Sequence, residues 1–155
     1  MQIINPGFEG DTTKPDADHI LPEGWRVWAY GGLSGTHSEI ESHPPNVKGG
    51  KGAGRLWVSN ERRELGYLQT VGGITPGDTV EFSIWAKAIS TSSGIVGDKS
   101  DGKIGLCASI DPLGGPFQDA PSVVWGEAAT VMDEYVLLSC RVVAQADKVT
   151  VFTRM

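Results

Sequence analysis

The chain has 155 residues and a formal net charge of −6, and 39% of its residues are hydrophobic and 21% charged. This composition is typical of one globular domain, here residues 1–155. The acidic balance argues against duplex nucleic acid as a partner, because such binding needs a basic footprint. No run of 18 apolar residues occurs, so we expect no membrane insertion, and the N-terminus lacks the pattern of a signal peptide.

Period-two alternation of apolar and polar residues predicts many short β-strands, and helical periodicity is almost absent. The clearest strand covers 80–88, where Val80, Phe82, Ile84 and Ala86 share one face. The full set of predicted strands is 24–30, 37–41, 54–59, 67–71, 80–88, 103–110, 122–125, 135–144 and 149–154.

Turn signals separate these strands every 8–12 residues, which favours a sandwich or barrel over a βαβ fold. Thr75-Pro76-Gly77-Asp78 fits a type II turn, and Asp101-Gly102 is compatible with a tight hairpin. We predict a two-sheet β-sandwich whose core is formed by Phe8, Trp25, Leu56, Val58, Val71, Val80, Phe82, Ile84, Leu106, Trp125, Leu138, Val149 and Val151. Cys107 and Cys140 are either two buried thiols or one cross-strand disulfide.

No nucleophile, metal or phosphate-binding motif stands out. His19, His37 and His43 lie in or beside loops without a defensible triad order. Neighbouring carboxylates such as Asp16 and Asp18 are most simply solvent-facing charges. The sequence therefore predicts a protein that is not an enzyme.

Trp85 is the strongest candidate for a ligand contact. Alternation places its indole on the polar face of the 80–88 strand with Glu81, Ser83 and Lys87, opposite the core face. An indole on a polar face suits a sugar, whose apolar C–H face stacks on the ring while polar groups bond its hydroxyls. The alternative is that Trp85 packs beneath a loop.

Several motifs occur in an order that resembles carbohydrate-binding modules of families 4, 9 and 22, which are galactose-binding-like jelly rolls. The motifs are Asn5-Pro6-Gly7-Phe8-Glu9, Pro22-Glu23-Gly24-Trp25, Gln69-Thr70-Val71, Pro76-Gly77 followed by 82–88, and the segments 135–139 and 149–152. The resemblance covers nearly the whole chain. It implies an antiparallel two-sheet jelly roll that binds a poly- or oligosaccharide non-catalytically on a concave sheet face, in a larger extracellular or cell-surface protein.

The resemblance also implies positions for ligand contacts. Phe152 would lie on the concave face, with Arg154 in the same strand phase. The segment 60–65 would supply further contacts, through Arg62 and Glu64. It contains no aromatic residue, which suggests a different and charged sugar. A solvated charge run is the alternative interpretation.

A structural calcium ion is a further implication. In the similar modules the glutamate equivalent to Glu9 helps to hold the ion, and backbone carbonyls of a glycine-rich loop, here 49–52 including Lys51, would suit its preference for oxygen ligands.

The resemblance predicts one more strand after 149–154, with an Asp-rich motif, whereas this sequence stops at Met155. An open edge would recruit another strand, so a partner chain completing the sheet is expected. Two rival functions remain: a structural or assembly domain of a surface layer, filament, adhesin or virion, and a glycan-processing enzyme with two close carboxylates.

Overall fold

The computed structural model describes residues 3–59, 62–93 and 98–155. Eleven β-strands and one 3₁₀ turn, Pro44–Asn46, make up the regular structure of these residues. The strands are β1 (Thr12–Thr13), β2 (Leu21–Pro22), β3 (Arg26–Ala29), β4 (Thr36–Glu41), β5 (Ala53–Val58), β6 (Leu65–Gly72), β7 (Thr79–Lys87), β8 (Cys107–Asp111), β9 (Val124–Trp125), β10 (Tyr135–Val143) and β11 (Lys148–Arg154).

The chain folds as an all-β sandwich of antiparallel sheets, as the alternation predicts. One layer is a five-stranded sheet in the order β3-β6-β11-β8-β9. The opposing layer contains two separate pairs, β4-β5 and β7-β10, and a small β1-β2 pair lies beside them. The main core joins apolar residues from both layers, such as Phe82 and Leu138 from the β7-β10 pair and Ile110 and Val151 from the five-stranded sheet.

Local sequence explains the N-terminal motif. Asn5 adopts a positive φ of 48°, and its side-chain oxygen accepts the Gly10 N–H at 2.9 Å. The Phe8 ring then enters the core and stacks on Trp25 with the ring centroids 5.1 Å apart. The indole N–H of Trp25 donates back to the Asn5 carbonyl at 3.2 Å. Residues 5–9 therefore close one end of the sandwich.

The turn before β7 also follows the sequence. Gly77 has φ of 97°, and the Asp78 N–H donates to the Thr75 carbonyl at 3.0 Å, as a type II turn requires. The Asp101-Gly102 prediction is wrong, because Gly102 has no positive φ and β8 begins only at Cys107. Side-chain hydrogen bonds fix that segment instead, from Ser92 to Asp101 and from Ser100 to Asp133.

The outer face of the five-stranded sheet is covered by its own side chains. Leu68, Phe152, Ser109 and Trp125 lie directly opposite one another across β6, β11, β8 and β9. The ring of Trp28 on β3 joins this row, with its centroid 6.4 Å from that of Trp125. Phe152 is fully buried as a result.

The two pairs of the opposing layer leave edges open. Among the described residues, β5 has β4 as its strand neighbour and β7 has β10. The other side of β4 is covered. The Ile20 N–H donates to the Ser38 carbonyl at 2.9 Å, and the Ser38 N–H donates to the Asp18 carbonyl at 3.0 Å.

No helix in the described residues has the length and apolar character needed to cross a membrane.

Candidate ligand-binding cleft and its rim

A cleft of about 1900 Å³ opens between β5 and β7. Two tryptophans, Trp57 from β5 and Trp85 from β7, lie on its rim. Both belong to the outward phase of their strands, because their neighbours Leu56 and Ile84 pack against the main core. Trp85 is 49% exposed and Trp57 is half-buried. Two indoles in the lining of one concavity offer an aromatic surface that a planar or ring-shaped ligand can cover.

Trp85 is surrounded by a mixed apolar and polar group. Leu137 lies directly opposite it on β10 and is 51% exposed. The ammonium of Lys48 sits 4.4 Å from the centroid of the Trp85 ring system and 6.0 Å from that of Tyr135. A cation over an indole gains from the ring's negative face. The side of Trp85 that faces solvent therefore combines a stacking surface with a hydrogen-bond donor.

The loop that carries Lys48 is fixed by Glu41. Its carboxylate accepts the His43 N–H at 2.7 Å and the Asn46 side-chain amide at 3.3 Å. The His43 bond is the main reason that the pKa of Glu41 lies below its ordinary value. The hydroxyl of Tyr135 donates to the Asn46 carbonyl at 2.7 Å. These contacts tie the loop after β4 to the end of the β7-β10 pair.

Trp57 is held in a polar environment of its own. The His37 imidazole stacks on it with centroids 5.3 Å apart, and the Arg55 guanidinium lies 4.8 Å from its ring centroid. Arg55 also donates to Glu39 at 2.8 Å. The contacts restrict the rotamers of Trp57, so its indole is presented to the cleft at a small entropic cost.

The residues predicted to bind ligand are only partly brought together. Arg62, Glu64, Arg154 and Trp85 all line the cleft. Arg154 stands 3.9 Å from Glu64 and its guanidinium lies 4.2 Å from the Trp125 ring centroid. Glu81 shares the outward face of β7 with Trp85, hydrogen-bonds Ser83 at 3.3 Å, and is not among the cleft residues.

The interpretation of Phe152 as a ligand contact is corrected by its burial. Alternation gives the right phase, since Val151 faces the main core and Phe152 the opposite side. That opposite side is covered by Trp28 and Leu68, and the residue is 0% exposed. In addition, β7 and β11 lie in different layers, so Trp85 and Phe152 do not form one surface.

Glu9 does meet the loop 49–52, but through N–H groups. Its carboxylate accepts the Lys51 N–H at 2.6 Å and the Gly52 N–H at 3.5 Å. Gly50 has φ of 75°, and a Cβ there would collide with the Glu9 carboxylate. In the described part of the chain no three His, Cys, Asp or Glu side chains gather as metal ligands. A calcium ion beside Glu9 would therefore depend largely on backbone carbonyls and water, and the metal remains a prediction.

The structure assembles one constellation that the sequence does not suggest. His19 Nδ1 lies 2.7 Å from Asp16 Oδ1, and Nε2 lies 3.0 Å from the Thr36 hydroxyl. The hydrogen bond from His19 is the main cause that lowers the pKa of Asp16. Thr36 is 1% exposed and its hydroxyl donates to the Leu33 carbonyl at 2.6 Å. A buried hydroxyl that already donates cannot attack a substrate, so the group fastens the 16–19 segment to β4.

Sequence reasoning missed Trp57 and Lys48. Trp57 could have been found, because it alternates with Leu56 and Val58 in the same way that Trp85 alternates with Ile84. Lys48 carried no local signal, since it reaches Trp85 from a loop 37 positions earlier in the chain.

Cys107 and Cys140 are two free, buried thiols, and burial raises the pKa of both.

The fold and site together are those of a β-sandwich with a two-tryptophan cleft. No protein-family model matches the chain, and no curated protein matches it. A solved structure that does match is the enzymatically active domain of tailspike protein 4 from Bacteriophage CBA120, with a TM-score of 0.57 and 14% identity over 85% of this chain. The chain spans only 17% of that chain's length. At this identity the likeness concerns the fold.

The comparison overturns the prediction that the chain is not an enzyme. A similar sandwich occurs inside a domain described as enzymatically active. Catalytic groups are assembled from residues distant in sequence and, in a larger protein, from other parts of the chain. The lack of a catalytic motif within 155 residues is therefore a poor reason to exclude an enzyme.

Proposed function

We propose that the chain is a carbohydrate-binding module of a larger extracellular protein, similar to modules of families 4, 9 and 22, and that its glycan lies across Trp57 and Trp85. The observation that carries the proposal is that these two indoles, from strands that do not pair with each other, line one cleft. Pyranose rings stack on exposed indoles, and the resulting contact is strong enough to dominate a weak, extended interface.

The groups around the indoles supply the polar part of the site. Lys48 and Arg55 stand over the two rings, and Arg62 and Glu64 lie on the same cleft. Such donors and acceptors can bond sugar hydroxyls while the rings cover the C–H faces. Exposed aromatic surface rimmed by polar residues is typical of a binding site.

The test is a glycan-array screen of the 155-residue chain with neutral and acidic oligosaccharides, followed by calorimetric titration of the hits. Trp85→Ala should leave stability within about 0.5 kcal/mol of wild type, because the side chain lies on an exposed face. Loss of a stacking contact worth roughly 1–2 kcal/mol should weaken binding about 5- to 30-fold. Trp57→Ala should have an effect of the same order.

Phe117→Ala is the matched control, because Phe117 is 66% exposed and is not among the cleft residues. It should bind as wild type does. If all three variants bind a glycan hit equally, or if wild type binds no glycan at millimolar concentration, the proposal is wrong.

A further inference from the structure

The cleft is bordered by two strand edges that lack a neighbour. β5 pairs only with β4 and β7 only with β10 among the described strands. Outside these two ladders no backbone–backbone hydrogen bond involves 53–58 or 79–87 in the described residues, although the Arg55 carbonyl accepts the Tyr67 hydroxyl at 2.9 Å. Long unpaired edges are unusual in natural proteins, which cover or blunt them.

The floor of the cleft is apolar and incompletely buried. Leu56, Ile84, Ala86, Ile104 and Met155 line it and also pack against the main core. All five retain partial exposure, whereas Val80, Phe82 and Val151 in the same core are buried. The core is therefore continuous beneath the cleft, and within 3–59, 62–93 and 98–155 no segment fully covers these five side chains.

Strand β7 shows the same change along its own length. Its inward residues Val80 and Phe82 are 4% and 3% exposed. The next inward residues, Ile84 and Ala86, are half-buried and line the cleft. The inward face of β7 therefore reaches solvent where the strand borders the cleft, at Ile84 and Ala86.

The residues that line the cleft carry a net positive charge, whereas the chain as a whole is negative. The described lining contains six cationic residues and two acidic ones, while the chain as a whole carries −6. The cationic residues are Arg55, Arg62, Arg63, Lys87, Lys103 and Arg154, and the acidic ones are Glu41 and Glu64. A partner with acidic side chains would complement this field.

We propose that the cleft accepts an extended polypeptide strand supplied from outside the 155 residues, which pairs with β5 on one side and β7 on the other. Its alternate side chains are apolar and cover Leu56 and Ile84, and the remaining ones are acidic and face the cationic rim. A strand offers the row of N–H and carbonyl groups that two facing edges need, which a glycan does not. The proposal concerns a protein partner and goes beyond glycan binding on the rim.

The probe is a labelled nine-residue peptide of alternating valine and glutamate, added to the whole 155-residue chain and followed by fluorescence anisotropy. We expect saturable binding. Replacing the glutamates by lysine should weaken it roughly ten-fold or more through like-charge repulsion, and replacing central residues by proline should abolish it, because proline removes ladder donors. Bound peptide should also slow amide hydrogen exchange in β5 and β7.

In the protein, Ile84→Asp should weaken peptide binding at least about ten-fold, since it puts a charge on the floor of the cleft. Val143→Asp is the matched control, at a 55% exposed site on β10 outside the cleft, and should not change it. A charge on the cleft floor also reduces the stability of the fold. The second measurement is therefore amide hydrogen exchange in the wild-type chain, with and without the peptide.

The outcomes separate this proposal from glycan binding. Strand pairing needs backbone donors and is lost in the proline peptide, whereas glycan binding needs the Trp85 indole and is weakened in Trp85→Ala. The strand proposal fails if the proline peptide binds as well as its parent. It also fails if no strand peptide binds at millimolar concentration, or if the β5 and β7 amides that point away from β4 and β10 exchange slowly without peptide.

Discussion

The two layers of the sandwich differ in how completely their side chains are covered. In the five-stranded sheet, β11 lies between β6 and β8, and both faces are packed. Phe152 and Val151 point in opposite directions from that strand, yet both are buried. In the opposing layer, β5 and β7 each have a single strand neighbour among the described residues, and Trp85 is 49% exposed.

The difference shows that stability and binding are carried by different layers. A strand with two neighbours and two packed faces tolerates little change, because every side chain contacts others. A strand on an open edge presents both its outward side chains and its backbone to a partner. The aromatic residues illustrate this: Trp28 and Phe152 stabilise the closed sheet, while Trp57 and Trp85 border the cleft.

The largest effect is expected from Phe152→Ala in the closed sheet. The fully buried ring leaves a cavity when it is removed, at a cost of about 3–5 kcal/mol in the free energy of unfolding. Ile84→Ala on the open side should cost only about 1–2 kcal/mol, since that side chain is half-exposed already. Urea denaturation of both variants measures the difference, and equal losses would contradict the contrast between the layers.

A smaller loss of stability is expected from Glu9→Ala. The variant removes the acceptor for the Lys51 N–H, which holds the loop leading into β5, and should cost about 1 kcal/mol. The same variant tests the calcium prediction. If the ion binds, calcium should raise the wild-type melting temperature, chelator should reverse this, and Glu9→Ala should respond less. A wild-type melting curve that chelator and calcium leave unchanged would exclude the metal.

The smallest effect is expected from protonation of Glu41. Its pKa is lowered in the folded state, chiefly by the His43 N–H, so the ionised form stabilises the loop above the unfolded-state pKa. This contribution is lost as the pH falls through the folded-state value. Since the loop carries Lys48, glycan binding should weaken about two- to five-fold on acidification. Calorimetric titration against pH measures it, and Glu41→Gln, already weakened at neutral pH, should show a flatter profile.

The sequence predicted the strands well because their signals are local. β7 and β10 were bounded to within a residue at each end, and Val80 and Phe82 were assigned to the core correctly. Four residues that were predicted to lie in the core are only half-buried. Leu56, Val58 and Ile84 are half-buried because they line the cleft. The fourth, Trp125, is half-buried in the outer row of the five-stranded sheet.

By itself, then, the sequence determined the all-β class, the phase of each main strand and the outward position of Trp85. Only the tertiary structure decided which surfaces stay exposed. Alternation places Phe152 and Trp85 alike on a non-core face, but sheet neighbours 40 or more positions away bury the first and leave the second open. Pairing between distant strands is a non-local property, and a period of two residues carries no information about it.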